Sequence, residues 1–475
     1  IMSIPSTVRP QPEAGTHSAS MGERDFSLDE MFFSVTDEKG IIKSGNEVFI
    51  RVSGYERGQM VGRPHNIVRH PDMPRAVFKL LWDEIGAGRP LAAYVKNRAI
   101  DGRHYWVMAT ALPTIEGYLS IRIKPTTQYF AIAQDLYTEL REIERGIEGP
   151  DGLNRKEAMA VSGERLLAAL RDAGFATYEA FMHAALLAEV RAREEYLVEM
   201  RRGPLRVHAG ATAAQNGTLQ QMAEMNSFLS QLVLRLDEYL NLNVHLAEKA
   251  TYVRGLAGEV QLFALNATVA ASKAEGHDGA AIGAVAGLLR SQSDGCNAMF
   301  EALGEAIASA AETLGHMLFP VAAARLQGEM LHSYMAETLD QGGCASGCGD
   351  LMALHYCLAR GIETLTGLMT ELDGRLRALQ PNVQNLRGAL KTMAALSLNG
   401  RIESARILDS GQFMTLFTTV GDQINDAWAE LDELARSSGG AFSLDGRAVA
   451  RLTDAVAQAE AAILSYGQEP LRAAG

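Results

Sequence analysis

Steps of three and four from Met222 pick out Met225, Leu229, Leu232, Leu236, Tyr239, Asn243, Leu246, Ala250, Val253, Ala257, Val260 and Ala264, and only Asn243 is polar. A seam held for about six heptads commits this stretch to a long helix packed along one stripe against other helices. A helix over residues 211–265 would run on the order of 80 Å at 1.5 Å per residue, the shape of a stalk rather than an enzyme core. Composition agrees. The 475 residues are 47% hydrophobic but only 7% aromatic, and the plentiful Ala, Leu, Glu and Arg favour helix over sheet.

That length allows two to four domains with real cores. A net charge of −13 argues against nucleic acid, whose phosphates need a basic face. No apolar run approaches the roughly 18–20 residues that span a bilayer. Residues 1–26 lack the apolar segment of a signal peptide and read as a disordered lead-in. A cytoplasmic location is expected, and four Cys fit a reducing compartment better than a disulfide framework.

Residues 27–126 have a different texture. Runs of alternating character at Phe32–Thr36, Gly40–Lys43, Tyr94–Ala99, His104–Leu112 and Gly117–Ile123 predict antiparallel strands, and Arg75–Gly86 predicts a helix. Asp101-Gly102 is favoured chemistry for a tight hairpin. The phrase NEVFIRVSGY (Asn46–Tyr55), the loop RHPDMP (Arg69–Pro74) and the hairpin KNR…DGRHYWV (Lys96–Val107) resemble, in order and spacing, the PAS domains of the aerotaxis receptors. The resemblance implies an α+β PAS domain, a five-stranded antiparallel sheet with helices, whose pocket holds FAD and reports redox state or oxygen. It assigns the flavin pocket to Asn46, Arg69, His70, Asp72 and Asn97. Trp106 is a further pocket candidate, although packing of the sheet is its commoner use. The family's usual Trp just before the KNR strand is Leu91 here. Haem, with His70 or His104 as axial ligand, is the alternative cofactor, and an empty pocket is the third reading.

Residues 127–204 predict connecting helices, one over Thr127–Gly146 and two more divided near Gly174. Beyond them lie two tip-like strings, LFALNATVAASKAEG (Leu262–Gly276) and LSLNGRIESAR (Leu396–Arg406). Both resemble the hairpin tip of the methyl-accepting chemotaxis receptors, which binds a histidine kinase and its coupling protein. Leu265 and Asn266 align with Leu398 and Asn399, 133 residues later (398 − 265), so the chain carries a repeat. Glu403 and Arg406 fill charged positions of the second copy, where the first has Ala270 and Lys273. The expected architecture is all-α after the sensor: two long hairpins, 205–341 and 350–467, forming a coiled-coil or four-helix bundle with both tips side by side. Such a chain would be a monomer imitating a receptor dimer, or a homodimer. Pro320 and Pro381 are expected to kink or end their helices.

Cys344, Cys348, His355 and Cys357 lie within 14 residues (344 to 357), but their spacing matches no regular zinc signature. The pairs Gln220-Gln221 and Glu194-Glu195 lack the small flanking residues of methylation sites. No nucleophile elbow, phosphate loop or metalloprotease helix is present, so no enzyme activity is expected. The reading is a sensory transducer. The alternative is a non-catalytic scaffold with an empty pocket that does not engage the kinase.

Overall fold

In the computed structural model, residues 22–149, 154–200, 212–272, 277–340, 348–406, 411–440 and 446–466 are described. An α+β domain comes first. Its strands are β1 (Phe32–Asp37), β2 (Ile42–Gly45), β3 (Leu91–Arg98), β4 (His104–Thr114) and β5 (Gly117–Ile123). Between β2 and β3 run α1 (Glu47–Ser53), α2 (Arg57–Met60), a 3-10 turn (His65–Val68) and α3 (Arg75–Gly86). All strand pairs are antiparallel, in the order β2-β1-β5-β4-β3. The β3–β4 turn is where Asp101-Gly102 predicted it, with Gly102 at φ 87°, a left-handed conformation that costs glycine nothing. Gly117 opens β5 at φ 147°, and a Cβ there would meet the Thr36 carbonyl oxygen at 2.1 Å.

The expected lead-in ends earlier than residue 26. The Arg24 amide donates to the His104 carbonyl at 2.7 Å, and Phe26 is buried edge-on against Phe32. Residues 1–21 lie outside the described residues.

Three connecting helices follow: α4 (Gln128–Glu148), α5 (Arg155–Asp172) and α6 (Tyr178–Glu199). They are bound to the α+β domain by carboxylates at helix starts, where backbone N–H groups lack intrahelical acceptors. Glu189 of α6 accepts from the Thr126 and Thr127 amides, at 2.7 and 3.1 Å, at the head of α4, and from Tyr94 Oη at 2.7 Å. Glu144 of α4 accepts from the Arg75 and Ala76 amides at the head of α3. Pro74 precedes α3 and offers no side-chain cap, so the cap comes from another helix.

The long helices are α7 (Ala213–Ser272), α8 (His277–Asp340), α9 (Cys348–Ser404), α10 (Gly411–Gly440) and α11 (Gly446–Tyr466). Pro320 and Pro381 lie inside α8 and α9, which continue through them; one missing backbone bond does not end helices held by packing along their length. Met222, Met225, Leu229 and Leu232 of the expected seam are buried, whereas the seam side chains from Leu236 onward lie outside the described residues. Against the expectation that no apolar run is long enough to span a bilayer, Ala280–Leu339 could cross a membrane by length and hydropathy, and half of its most apolar window is buried by the fold.

The chain divides into two units. The first holds residues up to 234, 318–365 and from 449 onward. In it the outer face of the sheet meets α8 and α9: Phe33 packs edge-on against Tyr334 with centroids 4.9 Å apart, and Ser44 bonds Asp350. Arg193 of α6 is 1% exposed. It binds both Glu329 oxygens of α8, at 2.8 and 2.9 Å, and the Leu28 and Asp29 carbonyls ahead of β1.

The second unit holds residues 235–317 and 366–448. Asn297 of α8 donates to Gln261 of α7, Cys296 of α8 meets Met393 of α9, and Arg375 of α9 donates to the Ser309 carbonyl of α8. Those antiparallel registers put the end of α7, the start of α8, the end of α9 and the start of α10 at one end of the unit. Gly400 is required there, since its Cβ would lie 2.4 Å from the Phe417 ring.

Cys348 is disulfide-bonded, against the expectation of free thiols, and Cys344 lies outside the described residues. Cys296 and Cys357 are free and buried. His355 donates from Nε2 to the Val456 carbonyl at 3.0 Å. No cluster able to hold a metal ion occurs among the described residues.

Candidate functional site

Side chains alternate across a strand, and in β1 this puts Ser34 and Thr36 on the face toward α3. The same face carries Val95 and Asn97 of β3, Ala109 and Ala111 of β4, and Tyr118, Ser120 and Arg122 of β5. With Phe78, Leu81, Trp82 and Ile85 of α3, and with His65, Asn66 and Arg69 before it, these residues enclose about 140 Å³. The two alanines are what leave room above the centre of the sheet. Trp82, 45% exposed and edge-on to Tyr118 at 5.9 Å, stands where the cavity meets solvent. It supplies an aromatic wall from α3 that Leu91 does not supply from β3.

The polar floor is built around Arg122, which is 4% exposed. Its Nη1 donates to Ser34 Oγ at 3.0 Å and to the Ser120 carbonyl at 3.3 Å, and its Nη2 lies 2.7 Å from His65 Nε2. Guanidinium only donates, so His65 Nε2 is the acceptor and the ring is neutral. Burial, and then the Arg122 charge, push the His65 pKa down to about 3. Burial also lowers Arg122 itself to about 10. No Asp or Glu among the described residues pairs with this cation. Asn97, 3% exposed, joins Arg69 through the backbone, and its carboxamide makes no hydrogen bond among the described residues.

The residues expected to form the pocket are thus divided. Asn97 and Arg69 line it, Arg69 stacking on Phe78 at 3.7 Å. His70 and Asp72 lie outside the enclosed space. His70 accepts from the Asp72 amide, and burial followed by the Lys96 charge lowers its pKa to about 4. Asp72 bonds Lys96 at 3.0 Å and Arg145 of α4 at 2.7 Å. Asn46 caps α1, accepting from the Phe49 amide, and ties down β1 through Phe33 N and Met31 O. Trp106 lies on the opposite face of the sheet, against Phe130 and Tyr137 of α4. Neither His70 nor His104 reaches the cavity lining. Beside the cavity, sharing Asn66 and Arg69 with it, lies an open cleft of about 410 Å³ lined by His70, Arg75, Arg98 and Arg141.

The tip residues lie in the second unit. Leu265, Asn266, Leu398 and Asn399 are exposed, as are Leu262, Val269 and Ile402. Glu403 pairs with Arg406 at 2.8 Å.

The sheet order, the crossing helices and the cavity between them match a known fold: residues 42–117 fit the family described as PAS fold. The amino-terminal domain is a PAS domain of the aerotaxis-receptor type. Over 117 residues the chain is 43% identical to the aerotaxis receptor of Escherichia coli (strain K12), covering 24% of this chain and 23% of that receptor. The chain therefore matches less than a quarter of its curated relative's length. Among solved structures, the light-state LOV domain of the blue-light photoreceptor Aureochrome1 is similar over 22% of this chain and 88% of its own, at 23% identity and TM-score 0.20. The blue-light activated histidine kinase of Erythrobacter litoralis is similar over 43% of this chain and 70% of its own, at 13% identity and TM-score 0.21.

Proposed function

We propose that this PAS domain binds a flavin, FAD, and that the chain is a cytoplasmic transducer that passes the cofactor's redox state to its long helices and on to a chemotaxis histidine kinase and coupling protein. The observation that carries the reading is the division of labour on β1. Ser34 faces the cavity and bonds Arg122, while the next residue back, Phe33, packs on Tyr334 of α8. A shift of β1 on one face cannot leave the other unmoved.

The donor set fits a flavin. Apolar side chains flank the space, and Arg122, Asn97 and Ser120 supply donors to a ring edge rich in acceptors. In the neighbouring cleft Arg69 and Arg98 pair with no carboxylate among the described residues, and they suit the diphosphate. The enclosed 140 Å³ is below the ~300 Å³ at the lower end of ligand clefts, so a three-ring ligand requires Trp82 to turn outward. Bound flavin supplies a reversible electron-accepting centre whose edge changes charge. Arg122 and Asn97 would answer that change, and β1 would bias the packing of α8 through Phe33, a difference of one to three kcal/mol or so being sufficient.

The small enclosed volume favours a second reading, a scaffold whose PAS cavity stays empty. The absorption spectrum of the full chain reconstituted with FAD separates the two. A retained flavin band supports the sensor, and a colourless protein after desalting overturns it. In the coloured protein, reduction should change hydrogen exchange near Tyr334 in the wild type and not in Tyr334→Ala.

A further inference from the structure

Four charged side chains lie buried where α6, α7 and α8 meet inside the first unit: Arg193 and Glu194 of α6, and Arg325 and Glu329 of α8. They close a ring of alternating sign. Arg193 grips both Glu329 oxygens, at 2.8 and 2.9 Å. Glu329 Oε2 lies 2.9 Å from Arg325 Nη2, the same nitrogen lies 2.8 Å from Glu194 Oε1, and that oxygen lies 3.9 Å from Arg193 Nη1. Ser230 of α7 donates to Glu194 Oε2 at 2.6 Å. Beside Glu329, the Asn226 carboxamide of α7 donates to the Gly328 carbonyl at 3.1 Å, and a Cβ on Gly328 would meet Asn226 Oδ1 at 2.4 Å. Such a ring adds little stability over apolar residues of equal volume, because desolvation offsets the attraction. What it adds is position. The run Val321–Ala324 just ahead of Arg325 is small, apolar and buried, and a surface of that kind discriminates weakly between neighbouring positions along a helix. Buried charges discriminate strongly.

A slide of α8 by one turn, about 5.4 Å, shows how. In one direction Arg325 takes the place of Glu329 opposite Arg193, and Val321 comes to face Glu194. In the other, Glu329 takes the place of Arg325 opposite Glu194, and Ser333 comes to face Arg193. Each slide sets like charges together and leaves a buried charge unanswered, which is costly at this depth. Arg193 also donates to the Leu28 and Asp29 carbonyls ahead of β1, and Tyr334, one turn beyond the ring on α8, packs on Phe33 of β1. We propose that the ring is a register lock: Arg193, Glu194, Arg325 and Glu329 hold α8 at one of several positions a turn apart along α6, and so hold Tyr334 against the sheet. The lock does not depend on what the cavity binds.

The test exchanges two charges in the full chain. In Arg325→Glu/Glu329→Arg the native register sets like charges against Glu194 and Arg193, and a slide of one turn in either direction restores one opposite pair. Bio-orthogonal spin labels, which spare the native cysteines, read the register as two distances, Ala180 to Ser333 and Val198 to Ser333. All three positions are exposed, and Ala180 and Val198 lie on opposite sides of Arg193 along α6. In the exchanged variant one distance should lengthen and the other shorten, each by roughly 5 Å. Wild-type distances in a folded exchanged variant overturn the lock. Should that variant fail to fold, Arg193→Met/Glu194→Leu/Arg325→Met/Glu329→Leu serves instead. It should unfold at a urea concentration no lower than the wild type's, with its label distances spread over more than one register. A single set of distances matching the wild type's would show that packing alone sets the register, and overturns the lock. Failure of the apolar variant to fold would show that the ring holds the fold itself, and overturns it equally.

Discussion

Glu144 caps a helix that is not its own: its Oε2 lies 2.8 Å from the Arg75 amide and its Oε1 lies 3.0 Å from the Ala76 amide, at the head of α3. The carboxylate is fully buried and also accepts from Ser162 Oγ and Arg141. Removing it orphans buried donors and leaves the Arg141 charge less compensated. Glu144→Ala should therefore lower unfolding free energy by about 2–4 kcal/mol, read by urea denaturation of the full chain. Because α3 forms one wall of the cavity, the same variant should bind ligand more weakly. A change under about 0.5 kcal/mol would show that α3 needs no outside cap.

His65 makes the sensor acid-labile. Its pKa is lowered from 6.5 to about 3 in the fold, so the unfolded chain binds a proton that the native chain refuses. Stability is then fully present above pH 6.5 and falls as pH drops from 6.5 toward 3, by up to about 1.4 kcal/mol per unit. His70, lowered to about 4, adds in the same direction. His65→Gln keeps a polar partner for Arg122 without the titration. Its stability should vary less between pH 6.5 and 4.5 than the wild type's, and identical pH profiles would place the acid lability elsewhere.

The two small residues of β4 make the cavity. Ala111 is buried and lines it, and a leucine there fills space that the proposed ligand would need. Ala111→Leu should abolish FAD retention while shifting stability by no more than about 1–3 kcal/mol, the range for overpacking. The absorption spectrum and a thermal melt on the same sample check both parts. FAD retained at wild-type level would put the ligand outside this space.

The domain's frame was legible because its signals are local. Turn chemistry placed Gly102, alternation placed β5 at Gly117–Ile123, and apolar periodicity placed α3 at Arg75–Gly86. The cavity was harder to read, since alternation tells which residues share a face and not what the face meets. In β5 the polar set Tyr118, Ser120 and Arg122 reads as the solvent side, yet it floors the cavity, and Leu119, Ile121 and Ile123 are fully buried on the other face. Parity alone argues against grouping Asn97 with Trp106. Asn97 stands opposite Tyr105, and Trp106 stands opposite Lys96, on the other face. Asn46 carried a readable signal of another kind, an N-cap residue ahead of an apolar helix. The caps from Glu144 and Glu189 span 68 or 69 and 62 or 63 residues, and no local pattern announces them.

The second tip separates a packed residue from an exposed one within a few positions. Gly400 has the Phe417 ring where a Cβ would go, and Ser397 donates to the Phe417 carbonyl at 2.6 Å. Leu398, between them, is 53% exposed, and Leu265 of the first copy is 43% exposed. Gly400→Ala should destabilise the full chain by about 1–3 kcal/mol through overpacking. Leu398→Glu and Leu265→Glu should each stay within about 0.5 kcal/mol of the wild type, as exposed substitutions do. If the exposed apolar stripe is the kinase-contacting surface, those two variants should lose capture of purified chemotaxis kinase and coupling protein at unchanged stability. Capture equal to wild type in the double variant Leu265→Glu/Leu398→Glu would remove the stripe from the interface. Loss in one single variant alone would show that the two copies of the repeat do not share the work equally.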